Sequence, residues 1–260
     1  MKTLNLFGWV WLLALFTFIF APIAASIVFS FDSDRFPTLP LGSFTTEWYV
    51  RAFSRPEVWE AIGHSLIVAV VTSLLSTFIG FATAYTDFRY GFRFKQAYLA
   101  LALLPPTLPL VILGLAMLAW LSQTGLSGTL IGIVIAHVVL ATPFAMAICR
   151  LRLSQMDPAL EAAAWNLGAG QWAAMRHVIL PFCAPAVVSS LCLTAAVSFD
   201  EFIVAWFVSG LNRTVPVLIL EILQGNVDPQ INAIGTVVFL TSMTLVIAAQ
   251  VLIFRRRKHD

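Results

Sequence analysis

Long apolar runs separated by short polar segments make up most of the chain. Six windows of about 20 apolar residues can be drawn along it, and each is long enough to cross the hydrocarbon core of a bilayer as a helix. The pattern predicts an all-α membrane protein with a single transmembrane domain over residues 1–260. The six predicted spans cover residues 6–30, 62–85, 97–121, 129–149, 182–208 and 233–254.

Residues 157–181 form the only long segment between two apolar runs that is itself not apolar. Asp157 followed by Pro158 is a helix start signal, because aspartate caps free backbone N–H groups and proline fits the first helical position. The pattern predicts a helix that ends at a turn near Gly168, and a second helix that Pro181 stops. This loop lies between the fourth and fifth predicted spans.

Composition supports the membrane assignment. The 260 residues are 60% hydrophobic and 11% charged, and the mean hydropathy is +0.90, which is far outside the range of soluble globular proteins. The three cysteines lie in or beside predicted spans without paired spacing, so we expect apolar packing rather than a disulfide or a metal site. The net charge of +2 gives no reason to expect nucleic acid as a partner.

The N-terminal apolar run has two interpretations. Residues 24–26, Ala-Ala-Ser, loosely fit the cleavage site of a signal peptide. The apolar run is longer than the core of a signal peptide, and five more spans follow it. An uncleaved first helix is therefore favoured.

The distribution of Lys and Arg predicts the orientation. If the N-terminus lies inside, eleven of the fifteen basic residues fall in inner segments, including three in the 86–96 loop and four at residues 255–258. Cytoplasmic loops of membrane proteins carry an excess of basic residues. The count predicts that both termini and the 157–181 loop lie in the cytoplasm.

Two predicted spans contain residues that are unusual in a membrane helix. Pro105, Pro106 and Pro109 remove backbone donors from the third span, which predicts either a packing kink or a helix break near a pathway. His137 lies in the fourth span. An intramembrane histidine more often bonds to a neighbouring helix than carries a proton or binds a substrate, and both interpretations stay open.

Asp200 and Glu201 are consecutive carboxylates inside the fifth predicted span. One charged residue at the bilayer centre costs about 2.5–3.5 kcal/mol on insertion scales, so two require a reason. A cation-attracting wall of a transport pathway is one reason. Pairing with a neighbouring helix, or a position near the outer interface, is the alternative. Consecutive helical residues face different ways, and the smaller, more polar face of Glu201 makes it the preferred path residue.

Trp206 follows these acids by little more than one helical turn. Its indole is suited to stacking on an ammonium group. Anchoring at the membrane interface is the commoner role of such a tryptophan. We therefore treat Trp206 as a candidate path residue with Asp200 and Glu201.

The 157–181 loop carries a recognisable set of spaced residues: Ala162, Ala163, Ala164, Gly168, Val178, Leu180 and Pro181. This set resembles the EAA loop of the permease subunits of bacterial binding-protein-dependent ABC importers. The family pattern is Glu-Ala-Ala, three residues, Gly, nine residues, then Ile-x-Leu-Pro. Ala162 occupies the glutamate position, and Glu161 stands one residue early. That offset turns a helical side chain by about 100°.

Two other segments resemble the polyamine (spermidine/putrescine) branch of that family. One is FPTLPLGSFTTEWY before the second span, and the other is the run 198–202 in the fifth span. The resemblance covers most of the chain. Importers of iron, thiamine, phosphonate or opine-like solutes share much of this framework and remain alternatives for the solute.

The resemblance implies a permease of the type I ABC importer kind, located in the bacterial inner membrane. It implies three kinds of partner: a second permease subunit, a cytoplasmic ATPase dimer and a periplasmic solute-binding protein. ATP and Mg would be used by the ATPase, and this chain would bind no cofactor. The residues implied in ATPase coupling are Glu161, Ala162, Ala163, Ala164, Gly168 and Pro181.

The residue pattern of the loop independently favours docking to a protein. Small alanine side chains allow another surface to approach the helix closely, and glycine at position 168 permits a sharp turn. Residues 157–170 contain no Lys or Arg. A helix that rests on the inner leaflet usually carries several basic residues, so that alternative is disfavoured.

Two other functional classes fit less well. An intramembrane enzyme needs a nucleophile, base or metal cluster at membrane depth, and the polar residues of the spans form none. An ATP-independent carrier or channel has no need of a docking loop for an ATPase. The chain also contains no phosphate-binding G-x-x-x-x-G-K-[ST] sequence, so we expect no ATP hydrolysis by this chain alone.

Overall fold

The computed structural model describes residues 5–35, 38, 40–225 and 229–256. Across these residues the chain is helical, with an isolated β-bridge between Asp32 and Phe44. The helices are α1 (Leu6–Phe29), α2 (Glu47–Phe53), α3 (Pro56–Arg89), α4 (Lys95–Leu103), α5 (Leu110–Thr124), α6 (Leu130–Leu153), α7 (Pro158–Asn166), α8 (Gln171–Ala174), α9 (Leu180–Asp200), α10 (Ile203–Val208), α11 (Val215–Gly225) and α12 (Gln230–Arg256).

Among the described residues, four helical segments are long and apolar enough to cross a membrane. They are α1, α3, α6 and the continuous stretch Gln171–Asp200, and they correspond to the first, second, fourth and fifth predicted spans. α1 buries none of its residues inside the chain, which suits a helix surrounded by lipid or by another subunit. α12 overlaps the sixth predicted span. Residues 257–260, at the predicted cytoplasmic C-terminus, lie outside the described residues.

The chain divides into two compact units, residues 1–59 with 218–260, and residues 60–217. In the first unit, α1 and α2 pack against α12. The hydroxyl of Ser26 in α1 donates to the side-chain oxygen of Asn232 in α12 at 3.2 Å.

α6 is the central helix of the second unit and packs against α4, α5, α9 and α10. One apolar cluster surrounds Leu121, Ile133 and Val204. A second surrounds Met146 and Ile179 and includes two of the cysteines as buried apolar residues, Cys149 and Cys183. Packing on both faces explains why α6 is apolar over almost its whole length.

The prolines of the third predicted span break the helix rather than kink it. α4 ends at Leu103, a 3₁₀ turn covers Pro105–Thr107, and α5 begins at Leu110. Proline lacks the backbone N–H that a continuing helix needs, and its ring clashes with the preceding turn. The predicted single span 97–121 is therefore two helices.

Pro181 does not stop a helix, contrary to the prediction. The stretch Gln171–Asp200 is continuous, and a π-helical segment, Met175–Ile179, precedes the proline. The N–H of Leu180 donates to the carbonyl of Met175. This wider turn shifts the hydrogen-bond register just before the residue that has no N–H, so the helix passes through Pro181.

Gly80 of α3 lies against Ala145 and Met146 of α6, and its replacement gives a test of this packing. A Cβ at position 80 would lie 2.7 Å from the Cβ of Ala145 and 2.7 Å from the backbone N of Met146. We expect Gly80→Ala to lower the Tm of the purified protein in detergent, because overpacking costs about 1–3 kcal/mol. Tryptophan fluorescence during heating measures this change.

Gly63 is the matched control in the same helix. A Cβ at this position meets nothing within 4 Å, and alanine favours a helix over glycine by about 1 kcal/mol. Gly63→Ala is therefore expected to keep or raise the Tm. Equal Tm values for the two variants would contradict the close approach of α3 and α6.

Candidate functional site

The first helix of the 157–181 loop forms as its sequence signals predict. A side-chain oxygen of Asp157 accepts the N–H of Ala159 at 2.9 Å, which caps α7. Gly168 has a φ of +84°, a left-handed conformation that side chains with a Cβ rarely adopt. The helix start and the sharp turn at Gly168 are both present.

The alanines of α7 divide between two faces. Ala162 and Ala163 are exposed, whereas Ala164 is buried inside the chain. Leu167, at the end of the helix, is 88% exposed. Ala162 and Ala163 are therefore open to another molecule, and Ala164 packs within this chain.

Glu161 points back into its own chain. Its side chain is 7% exposed, and its Oε1 lies 3.2 Å from Nε of Arg89, at the end of α3. In the sequence, Arg89 is one of three basic residues in the 86–96 loop and has no feature that marks it as a partner of Glu161. Proximity of the 86–96 loop and the 157–181 loop on one side of the membrane was the available signal, but it does not specify a pair.

A second charged group lies nearby at the end of α3. Oδ2 of Asp87 lies 2.6 Å from Nε of Arg150 in α6, and Oδ1 lies 3.1 Å from Nζ of Lys95 in α4. A cavity of about 350 Å³ adjoins Asp87 and Arg150. No motif in the sequence marked this cluster, because its members belong to three separate segments.

The fifth predicted span is interrupted at its acidic pair. α9 ends at Asp200, Glu201 has extended backbone angles (φ −71°, ψ 123°), and α10 begins at Ile203. The Glu201 carboxylate accepts the N–H groups of Val204 and Ala205, each at 2.9 Å. Glu201 therefore caps α10 by the general mechanism in which a side-chain oxygen satisfies the free N–H groups of a helix start.

His137 of α6 joins this acidic region. Its Nδ1 lies 2.8 Å from the hydroxyl oxygen of Ser198 in α9, and its Nε2 lies 3.4 Å from Oε2 of Glu201. His137 is 1% exposed and Glu201 8%. The histidine thus bonds to a neighbouring helix, the commoner of its two interpretations, and it sits beside a candidate path residue.

Because of the helix break, Asp200 rather than Glu201 is the accessible carboxylate. The preference for Glu201 assumed one continuous helix over 182–208, whereas the structure turns Glu201 into the chain as a cap. Asp200 is exposed and makes no hydrogen bond or ion pair with any part of the chain that the structure describes. Trp206, in α10, is 36% exposed. The carboxylate of Asp200 and the indole of Trp206 are thus both accessible in this region.

The accessible chemistry of this region is binding rather than bond making. An exposed carboxylate attracts cations, and an exposed indole accepts an ammonium group on its face. Within the described ranges, no group of three or more His, Cys, Asp or Glu residues is placed to hold a metal ion.

Solved structures with a similar fold come from ABC importers. A bacterial ABC transporter involved in the import of the acidic polysaccharide alginate matches with a TM-score of 0.76 at 16% identity, over 96% of this chain and 95% of that chain. At this identity the likeness establishes the fold. The all-α fold is therefore shared with a chain of that transporter.

Two curated relatives share about 30% of their residues with this chain. The spermidine/putrescine transport system permease protein PotC of Haemophilus influenzae is 31% identical over 245 residues, 94% of this chain and 95% of the relative. The putrescine transport system permease protein PotI of Escherichia coli (strain K12) is 30% identical over 235 residues, 86% of this chain and 82% of the relative.

A family model also matches most of the chain. Residues 76–259 match the binding-protein-dependent transport system inner membrane component. The match includes both the 157–181 loop and the acidic region. Together with the long apolar helices, it makes this protein a multi-pass inner membrane protein and a transport component rather than an enzyme. The chain belongs to the family of binding-protein-dependent transport system inner membrane components, the permeases of ABC importers.

Proposed function

We propose that this chain is one permease subunit of an ATP-driven importer of polyamines such as spermidine and putrescine. The observation that carries the proposal is the identity of about 30%, over most of the chain, with permeases named for spermidine/putrescine and putrescine transport. An exposed carboxylate at Asp200 suits a solute with two or more positive charges. The subunit forms half of the translocation path.

The proposed topology has six membrane crossings with both termini in the cytoplasm. Four crossings are the helical segments already long and apolar enough to span a bilayer. The broken pair α4–α5 and the long helix α12 supply the other two. α12 has 27 residues, which corresponds to about 40 Å at 1.5 Å per residue. The excess of basic residues in the inner segments supports this orientation.

In the proposed assembly, α7 is the coupling helix. A second permease subunit completes the path, a periplasmic solute-binding protein delivers the solute, and a cytoplasmic ATPase dimer uses ATP and Mg. α7 seats on the ATPase, so that closure of the ATPase dimer moves the membrane helices. The exposed alanines and the turn at Gly168 support this role.

In the proposed path, Asp200 contacts the solute directly. Its carboxylate is free to pair with an ammonium group, and Trp206 offers an aromatic face nearby. Glu201 does not contact the solute, because both of its oxygens accept N–H groups of α10. It acts by fixing the position of α10 beside Asp200. The interrupted helix brings irregular backbone to membrane depth, which is tolerated where it is buried in protein or lines a water-filled cavity.

Asp200→Asn tests the substrate role. We expect the rate of labelled spermidine uptake by the reconstituted complex to fall at least about tenfold, because a hydrogen bond to a charged group is worth about 1.5–3 kcal/mol. The Tm of the complex is expected to stay the same. Glu60→Gln, which neutralises another exposed carboxylate, is the control and is expected to transport normally. Normal uptake by Asp200→Asn removes Asp200 from the path.

Glu201→Gln tests the cap. The amide keeps one acceptor oxygen and loses the charge that faces two N–H groups and His137. We expect a lower Tm as well as slower uptake, since leaving a buried group unsatisfied costs about 1–3 kcal/mol. Thermal unfolding compared with Asp200→Asn separates the two roles. An unchanged Tm would show that the Glu201 cap does not stabilise the interruption between α9 and α10.

Cross-linking at Ala163 tests the coupling role. In a Cys192→Ser background, which removes the exposed native cysteine, we expect Ala163→Cys to cross-link to cysteines placed on the ATPase. Ala164→Cys is the neighbouring control, because Ala164 is 8% exposed, and it should not react. Equal reaction at both positions, or none at Ala163, would count against α7 as the docking helix.

A further inference from the structure

Glu161 is the acidic residue that the EAA-like pattern displaces by one position, and its partner lies in its own chain. Glu161 as a whole residue is 5% exposed. Its Oε1 lies 3.2 Å from Nε of the Arg89 guanidinium. A nearly buried carboxylate with an internal cation is not free to meet a partner protein.

Arg89 is held against one face of α7. Its Cζ lies 4.8 Å from the centroid of the Trp165 ring. Glu161 and Trp165 are four residues apart and so share a helix face. A further contact binds the start of α8 to the same place, where Nε2 of Gln171 donates to the hydroxyl of Tyr90 at 2.9 Å. The loop is thus fastened on both sides of its turn to the end of α3.

The end of α3 is in turn fastened to two other helices. Asp87, two residues before Arg89, contacts Arg150 of α6 and Lys95 of α4 at ion-pair distance. A displacement of α7 that reaches Arg89 therefore acts on a helix end already joined to α4 and α6.

The opposite face of α7 has a different character. Ala159, Ala162, Ala163 and Asn166 follow the i, i+3, i+4, i+7 spacing of one helix face, and all four are exposed. The face carries small side chains and no charge. A partner protein that binds this face would pack closely against the alanines and hydrogen-bond to Asn166. The face has no carboxylate, so the partner needs no basic residue there.

We propose that Glu161 is a positioning residue that acts inside this chain. Its ion pair with Arg89 joins α7 to the end of α3 and passes the movement of α7 to the membrane helices. The ATPase is bound through the uncharged face of Ala159, Ala162, Ala163 and Asn166. The proposal rests on the proposed function as a permease driven by a partner ATPase, and it assigns the contacts of the same loop.

Glu161→Gln and Arg89→Gln test this proposal in the reconstituted complex. Two quantities are measured: the amount of ATPase that co-purifies with the permease, and the labelled spermidine transported per ATP hydrolysed. We expect co-purification to match the unmodified complex for both variants. Transport per ATP is expected to fall at least about fivefold, the lower end of typical coupling effects between sites.

The charge swap Glu161→Arg with Arg89→Glu supplies a rescue that a merely structural role would not predict. We expect the double variant to recover most of the lost transport per ATP. Glu47→Gln is the control, because Glu47 also pairs with an arginine, Arg51, at the surface. It should leave both quantities unchanged. Ala163→Arg, on the uncharged face, is expected to reduce co-purification.

Three results would overturn the proposal. Loss of ATPase from Glu161→Gln but not from Arg89→Gln would make Glu161 a docking residue. Unchanged transport per ATP in both variants would remove the ion pair from coupling, and so would a charge swap that fails to recover transport while the complex stays assembled. If the proposed function itself were wrong, the unmodified permease would co-purify with no ATPase, a result that none of the three outcomes above gives.

Discussion

Backbone groups in hydrocarbon have no water to bond, so a break in a membrane helix must find its partners inside the protein. The break between α9 and α10 depends on Glu201 for this reason. Its two oxygens accept the N–H groups of Val204 and Ala205 in the first turn of α10, and His137 approaches the same carboxylate from α6. One buried side chain thereby starts a helix and holds it against the central helix of its unit. The adjacent Asp200 is left exposed, which makes it available to a cation.

At the end of α3, nearly buried acidic side chains find their partners through ion pairs. Acids from α3 and α7 meet cations from α3, α4 and α6, and each acid is nearly buried while its cation stays partly in water. Partly exposed pairs of this kind contribute little to the free energy of unfolding. Their main effect is on geometry: they hold the 157–181 loop at one place on the membrane helices. The π-helical turn before Pro181 continues that loop into α9 without interruption.

α6 connects the two regions. It carries His137 of the acidic region and Arg150 of the charged group at the end of α3. Thirteen residues separate them, which is about 20 Å along a helix at 1.5 Å per residue. The chain stays helical over this whole distance, so the proposed coupling loop and the proposed solute contact both lie beside the same helix. The proposed mechanism needs such a connection, since it places ATP hydrolysis on a different protein from the one that carries the solute.

The sequence by itself determined the helical class, the positions of the long apolar helices, the cap at Asp157 and the turn at Gly168. Each depends on residues that are neighbours in the chain, so periodicity and local chemistry suffice. Only the tertiary structure decided that Glu161 pairs with Arg89, that Asp87 joins α4 and α6, and that Glu201 caps α10. No proline or glycine marks the break at Glu201, and the sequence pattern predicted a continuous helix there. Buried polar atoms must find partners, but which distant segment supplies each partner is decided by packing.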